Sequence, residues 1–362
     1  MSLPLNKNQP PVLDQSGQPA IYATAGPPGL YRPSVVRPRR RKLLWLIGLL
    51  LFWAVLIMVA LHERDITDWW RLRHFQPSAT VSELASETTM TPYARKVFYV
   101  NSPVIADKTS FSHSCPANGG EKTVILGCYH SNQAGIYVLG VTDSRLTGVE
   151  QVTAAHETLH AAYDRLSGHD RQRVDAMLQD YYQHDLKDAR LLDTIAAYKK
   201  SEPHDVVNEM HSVFGTEAAN LPAPLEQYYR RYFTNRSQIV DYAQRYQGEF
   251  TTRQAQVKQA DSQLQNLKQQ IERAEADLQS QQATISAQQS ALLQKRNSGQ
   301  TAAYNAGVPV YNQLVDSYNG QVQAVHNLID QYNQLVANRN AIALEEDQLA
   351  NALNPSAQPI QK

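Results

Sequence analysis

Two histidines four residues apart, His156 and His160, with Glu157 between them, are the side chains whose types and spacing point most directly to chemistry. On an α-helix, positions i and i+4 share one face a single turn apart, so both imidazoles can reach one metal ion. The intervening carboxylate projects nearby and can take a proton from a water polarised by that ion. The pattern H-E-x-x-H therefore predicts metal-assisted hydrolysis, with His156 and His160 as ligands and Glu157 as general base.

A helix must hold these residues, and the stretch from Thr147 to Gly168 reads as one. Thr147 followed three residues later by Glu150 predicts a capping box, and Ser167-Gly168 a C-terminal stop. Val152, Ala155, Leu159, Tyr163 and Leu166 recur at helical spacing as a buried stripe, with the histidines on its flank. A catalytic zinc needs three protein ligands and an open position. Glu209, in a helix expected over 203–214, is the candidate third ligand, because Val206, Met210 and Val213 would pack that helix and aim the carboxylate inward. His211, Glu217, Asp193 and Asp205 compete for the same role. His211 and Tyr163 are the candidate donors for a tetrahedral oxyanion.

The set resembles the gluzincin group of zincin metallopeptidases, in which H-E-x-x-H on one helix is completed by a Glu on a downstream helix, often preceded by Asn, as Asn208 precedes Glu209 here. The resemblance covers about 122–217. It implies one zinc ion per chain held by His156, His160 and Glu209, with Glu157 as base and a peptide or protein as substrate. Two features depart from the thermolysin-like members: 48 residues separate His160 from Glu209, and the usual Ser-Asp after the ligand reads Ser212-Val213. The metzincin pattern is excluded, since it would need Gly at Tyr163 and His at Leu166.

Upstream, 123–129 and 135–139 are short β-rich runs separated by the turn-prone 130–133, which predicts a hairpin. A sheet edge beside a metal cleft can hold an extended peptide by main-chain hydrogen bonds. The two cysteines, Cys115 and Cys128, are expected to form a disulfide closing a loop of about 14 residues.

The compartment follows from the N-terminal third. Arg37, Arg39, Arg40, Arg41 and Lys42 lead into nineteen uncharged, mostly apolar residues, 43–61. At about 1.5 Å per residue this run spans roughly 28 Å, the thickness of a bilayer core. The cations put the N-terminus in the cytoplasm and the remainder outside, as an uncleaved single-pass anchor of a bacterial cell envelope. Residues 1–42, rich in proline, read as a disordered tail, and 62–81 as a juxtamembrane linker whose Trp69 and Trp70 suit the outer bilayer face. The formal net charge is zero, which argues against a nucleic-acid partner.

In the C-terminal half, heptads run through Val257, Ala260, Leu264, Leu267, Ile271, Ala274, Leu278, Ile285 and Leu292, and again from Tyr311 to Leu349. Gly299, Gly307 and Pro309 read as breakers in a loop over 297–309, and Gln281 and Gln288 weaken the first arm. The expected chain is thus mainly α (α+β). It comprises a transmembrane helix, a zincin-like domain over 82–250 with a small β-hairpin or sheet, an antiparallel coiled-coil hairpin over 251–353 that can pair with itself or a partner, and a disordered tail over 354–362. The rival expectation is an envelope scaffold that acts through the coiled coil, with an inactive zincin-like domain.

Overall fold

A computed structural model of the chain describes residues 15–17, 29, 39–116, 126–131 and 134–355. Most of the expected N-terminal tail, the start of the first expected strand at 123–125, the turn residues 132–133 and the tail from 356 lie outside the described residues. The chain divides into two compact units, Met1–Arg64 and Asp65–Lys362. In the first, α1 (Arg39–Leu61) contains a segment, Leu44–Leu61, long and apolar enough to cross a membrane.

The chain continues with α2 (Glu63–His74), α3 (Ala79–Glu87) and α4 (Pro92–Val100). The stretch expected as a linker, 62–81, is therefore mostly helical. Side-chain caps explain these starts: Ser78 Oγ accepts from the Val81 amide at 3.2 Å, and Thr91 Oγ1 from the Ala94 amide at 3.2 Å, with Pro92 in the first turn. Next come β1 (Val104–Ala106), α5 (Lys108–Ser114), β2 (Gly127–His130) and β3 (Gly135–Leu139). β2 and β3 form the expected antiparallel pair, with Cys128 opposite Tyr137. β1 joins β3 in parallel, so the sheet order is β1-β3-β2 and β2 is an edge. Three residues carry no alternation from which β1 could be read.

The remaining helices are α6 (Val149–Tyr163), α7 (Gly168–Asp180), α8 (Ala189–Ser201), α9 (Val206–Glu217), α10 (Ala223–Tyr229), α11 (Arg236–Asn297) and α12 (Thr301–Leu353). The motif helix α6 lies at the centre, against α3, α4, α9, α11 and the sheet. It is buried on nearly every side rather than along one stripe, and Ala154, Ala155, Ala161 and Ala162 give its neighbours close access. Its frame differs from the sequence expectation. The N-cap is Gly148, at φ 110° with no side-chain cap. Thr147 instead donates to the Ser144 carbonyl at 2.7 Å, and Glu150 accepts from the Val141 amide at 2.7 Å. Gly148 is required twice over, by its positive φ and because a Cβ there would lie 2.8 Å from the Tyr242 carbonyl oxygen. At the other end the helix stops at Tyr163, and Ser167 is the N-cap of α7, accepting from the Asp170 amide at 3.1 Å.

α11 and α12 run antiparallel, as three cross-pairs show: Arg253 with Glu345 at 3.2 Å, Gln254 with Glu346 at 2.9 Å and Arg339 with Asp261 at 3.0 Å. The turn is only three residues, Ser298 to Gln300, with Gly299 at φ 75°. Gly307 and Pro309, read as breakers, lie inside α12; a Cβ at Gly307 would meet Leu292 Cδ2 at 2.6 Å, so that glycine seats the opposing leucine. α11 begins at Arg236, well inside the region read as the catalytic domain, and Leu349 and Leu353 of α12 return to pack on Leu146 and Val149 at the start of the motif helix.

Candidate metal centre

α6 presents His156 and His160 one turn apart toward α9, whose first turn carries Glu209. The imidazole Nε2 atoms are 3.0 Å apart. Glu209 Oε2 lies 3.7 Å from His156 Nε2, and its Oε1 3.4 Å from His160 Nε2. A tetrahedral ion with bonds of about 2.0–2.2 Å separates its ligand atoms by roughly 3.3–3.6 Å, and the measured separations, with one Glu209 oxygen facing each histidine, lie on either side of that range. Glu209 is buried, and its Oε2 has no hydrogen-bond partner, a cost that a cation at this point would remove. Two imidazole nitrogens and a carboxylate with one orphaned oxygen together fit a divalent cation. The half-buried His156 and the buried His160 and Glu209 form a group that could hold a metal ion.

The approach of α9 to α6 depends on Gly215, where a Cβ would collide with Leu159 and come within 2.7 Å of the Tyr229 ring. Burial works against ionisation of Glu209, but the adjacent His160 and His156 outweigh it and hold the carboxyl below its ordinary range. Tyr198 of α8, which lines the same cleft, adds a smaller contribution in the same direction.

Glu157, one position round the helix, is buried beneath the edge strand, where a Cβ on Gly127 would lie 2.7 Å from its Oε1. Burial raises its pKa to about 7; His160 opposes the shift and the Glu209 charge adds to it. Both carboxylates and both histidines open onto one cleft of about 880 Å³, walled by β2 on one side and by Thr194, Tyr198 and Asn208 on the other.

No protein-family model, curated protein or solved structure matches this chain.

The other residues singled out in the sequence stand outside the His156–His160–Glu209 group, although Glu217 and Asp205 line the same cleft. Glu217 accepts from Arg190 at 2.6 Å and Gln247 at 2.8 Å, Asp193 is exposed, and Asp205 stands at the cleft rim. His211 is fully buried with its Nε2 2.8 Å from the Tyr228 hydroxyl, and burial drives its pKa down to about 3, so it is a neutral core residue packed among tyrosines. Tyr163 donates to Asp175 at 2.8 Å beneath the Arg171 guanidinium. Neither His211 nor Tyr163 lines the cleft. Cys115 and Cys128 form the expected disulfide, which ties β2 to the end of α5. Their sulfurs and His130 would otherwise be within reach of one ion, but the S–S bond occupies them. Tyr198 and Gly127 were not legible beforehand, since neither stands at a fixed spacing from the motif.

Proposed function

We propose that the chain is a zinc-dependent metallopeptidase anchored in a membrane by 43–61, with its N-terminus cytoplasmic and its active site on the outer side of a bacterial envelope. The observation that carries the reading is the convergence of His156, His160 and Glu209 at tetrahedral spacing beside the buried Glu157. His156, His160 and Glu209 would hold a zinc ion, which when bound would supply Lewis acidity toward a peptide carbonyl and toward water. Glu157 receives the proton of that water and returns it to the leaving amine. A pKa brought to about 7 by burial suits a group that must both accept and release a proton near neutrality. The strand β2, which lines the cleft, offers main-chain groups to an extended peptide there. The α11–α12 pair acts as an antiparallel coiled-coil hairpin for self-association or partner binding.

The test is zinc analysis of the purified full chain together with hydrolysis of casein by the parent and by Glu157→Gln. About one zinc per chain in both proteins, with activity lower in the variant by about 10²–10⁴, is the expected result. No zinc after reconstitution, or equal hydrolysis by the two, rejects the enzyme. A scaffold acting through the hairpin is supported by the length of α11, 62 residues, and of α12, 53 residues. It predicts that Glu157→Gln changes nothing.

A further inference from the structure

The helix that follows the apolar segment has two opposite faces. On one, Ile66, Trp69, Trp70 and Arg73 recur at helical spacing and are all exposed, the two indoles at 61% and 59%. Arg73 lies over the Trp69 ring at 5.5 Å. On the other face, Asp68 is 1% exposed. It receives a bidentate pair of hydrogen bonds from Arg165, both 2.9 Å, and lies 3.1 Å from Lys96 Nζ. Arg71 donates to the Val100 carbonyl at 3.2 Å, and Phe75 stacks on Tyr99 at 5.8 Å. Arg165 stands two residues beyond the end of the motif helix, so the inner face of α2 is fastened to the element that carries the histidines.

We propose that α2 is an interfacial helix, with Ile66, Trp69, Trp70 and Arg73 in the headgroup region of the outer leaflet. The Asp68–Arg165–Lys96 cluster makes that helix part of the folded unit, so the unit is seated on the membrane rather than tethered above it. The occupant of the exposed face is lipid, for three reasons. Only His62 separates α2 from α1 and its apolar segment. Tryptophan pairs with a flanking cation suit the water–hydrocarbon boundary. An apolar face backed by a fully committed inner face is the pattern of a surface helix. The inference rests on the anchoring of 43–61 in a bilayer.

The chain has four tryptophans, so Trp45→Phe with Trp53→Phe leaves Trp69 and Trp70 as the reporters. This full-length variant is reconstituted into phosphatidylcholine–phosphatidylglycerol vesicles carrying lipids brominated either high or low on the acyl chain. The seat predicts blue-shifted emission, little quenching by external iodide, and about twofold stronger quenching by the high-brominated lipid. Water-like emission that iodide quenches and neither lipid does overturns it. Chain that washes out of the vesicles at alkaline pH overturns the anchor and the seat together, a result distinguishable from the first. For the latch, Gln172→Cys supplies one labelling site, since the native cysteines are bonded to each other. Single-molecule energy transfer from this site to an outer-leaflet acceptor is expected to be narrow in the otherwise native chain and broadened by Arg165→Lys. A broad distribution in the otherwise native chain, or equal widths in both, overturns the latch.

Discussion

Replacing Glu209 by glutamine tests its proposed role as the third ligand. The amide keeps the shape of the side chain but removes the charge facing His156 and His160 at 3.7 and 3.4 Å. Structural zinc sites bind with about 10–16 kcal/mol, or about 2.5–4 kcal/mol for each of four ligands. Losing one such contribution weakens binding by about 10²–10³. Linkage gives a second readout. At a free zinc concentration a thousand times the parent Kd, bound metal stabilises the fold by about 4 kcal/mol, and the variant retains only about 0.4–1.4 kcal/mol of that. Competition against a chromophoric chelator measures the affinity, and denaturant unfolding with and without zinc measures the stabilisation. Glu157→Gln serves as a control that should bind zinc within about threefold of the parent, because Glu157 stands outside the His156–His160–Glu209 group and its proposed role is to move a proton. Glu217→Gln should do the same, since its carboxylate is taken by Arg190 and Gln247. The assignment is refuted if Glu209→Gln binds zinc as tightly as the parent, or if Glu217→Gln or Asp205→Asn produces the hundredfold loss instead.

Three further outcomes follow from the packing. Burial opposes ionisation of Asp68, but Arg165 and Lys96 hold its pKa below the ordinary carboxylate value. Its contribution is therefore present above the unfolded-state pKa of about 4 and is lost as pH falls through that value toward the folded one; Asp68→Asn should cost about 3–5 kcal/mol near neutrality and flatten the acid limb of the stability curve, as read by urea titrations at several pH values. Gly215→Ala should destabilise by about 1–3 kcal/mol and also weaken zinc binding, since the new methyl pushes α9 away from Leu159 on α6; a variant with parent-like stability would show that the helices have room to part. Removing the Cys115–Cys128 bridge, whose cysteines are 13 positions apart, should cost about 3 kcal/mol in denaturant unfolding, and adding reductant to the parent should reproduce the loss.

Read from the chain alone, the motif helix, its two histidines, the Glu209 nomination, the β2–β3 hairpin, the disulfide and the apolar segment all correspond to elements of the fold. The motif helix, the hairpin and the apolar segment each rest on a local regularity, namely a four-residue spacing, a period-two run and an uninterrupted apolar stretch, whereas Glu209 and the disulfide were nominated without one. The errors cluster where local signals compete with packing. Thr147 and Glu150 have the residue types of a capping box, but Gly148 is drawn into a left-handed cap by its contact with Tyr242, and both side chains find other partners. Pro309 has the type of a breaker, yet α12 runs through it because the opposing helix supplies the packing. Ser167-Gly168 stops nothing and instead starts α7.

The sequence by itself determined that two imidazoles and a carboxylate share a helix, because a covalent spacing of four residues becomes a spatial neighbourhood on any α-helix. It could not decide which distant carboxylate closes the set. Glu209, Glu217, Asp193 and Asp205 are equivalent as residue types, and the choice among them depends on how closely α9 can approach α6. Gly215 permits that approach, the two histidines face the Glu209 carboxylate at its end, and Arg190 withdraws Glu217. Likewise, Trp69 and Trp70 marked an interfacial stretch, but only the tertiary structure joined its far side to the motif helix, through an ion pair between Asp68 and Arg165 that spans 97 positions of chain.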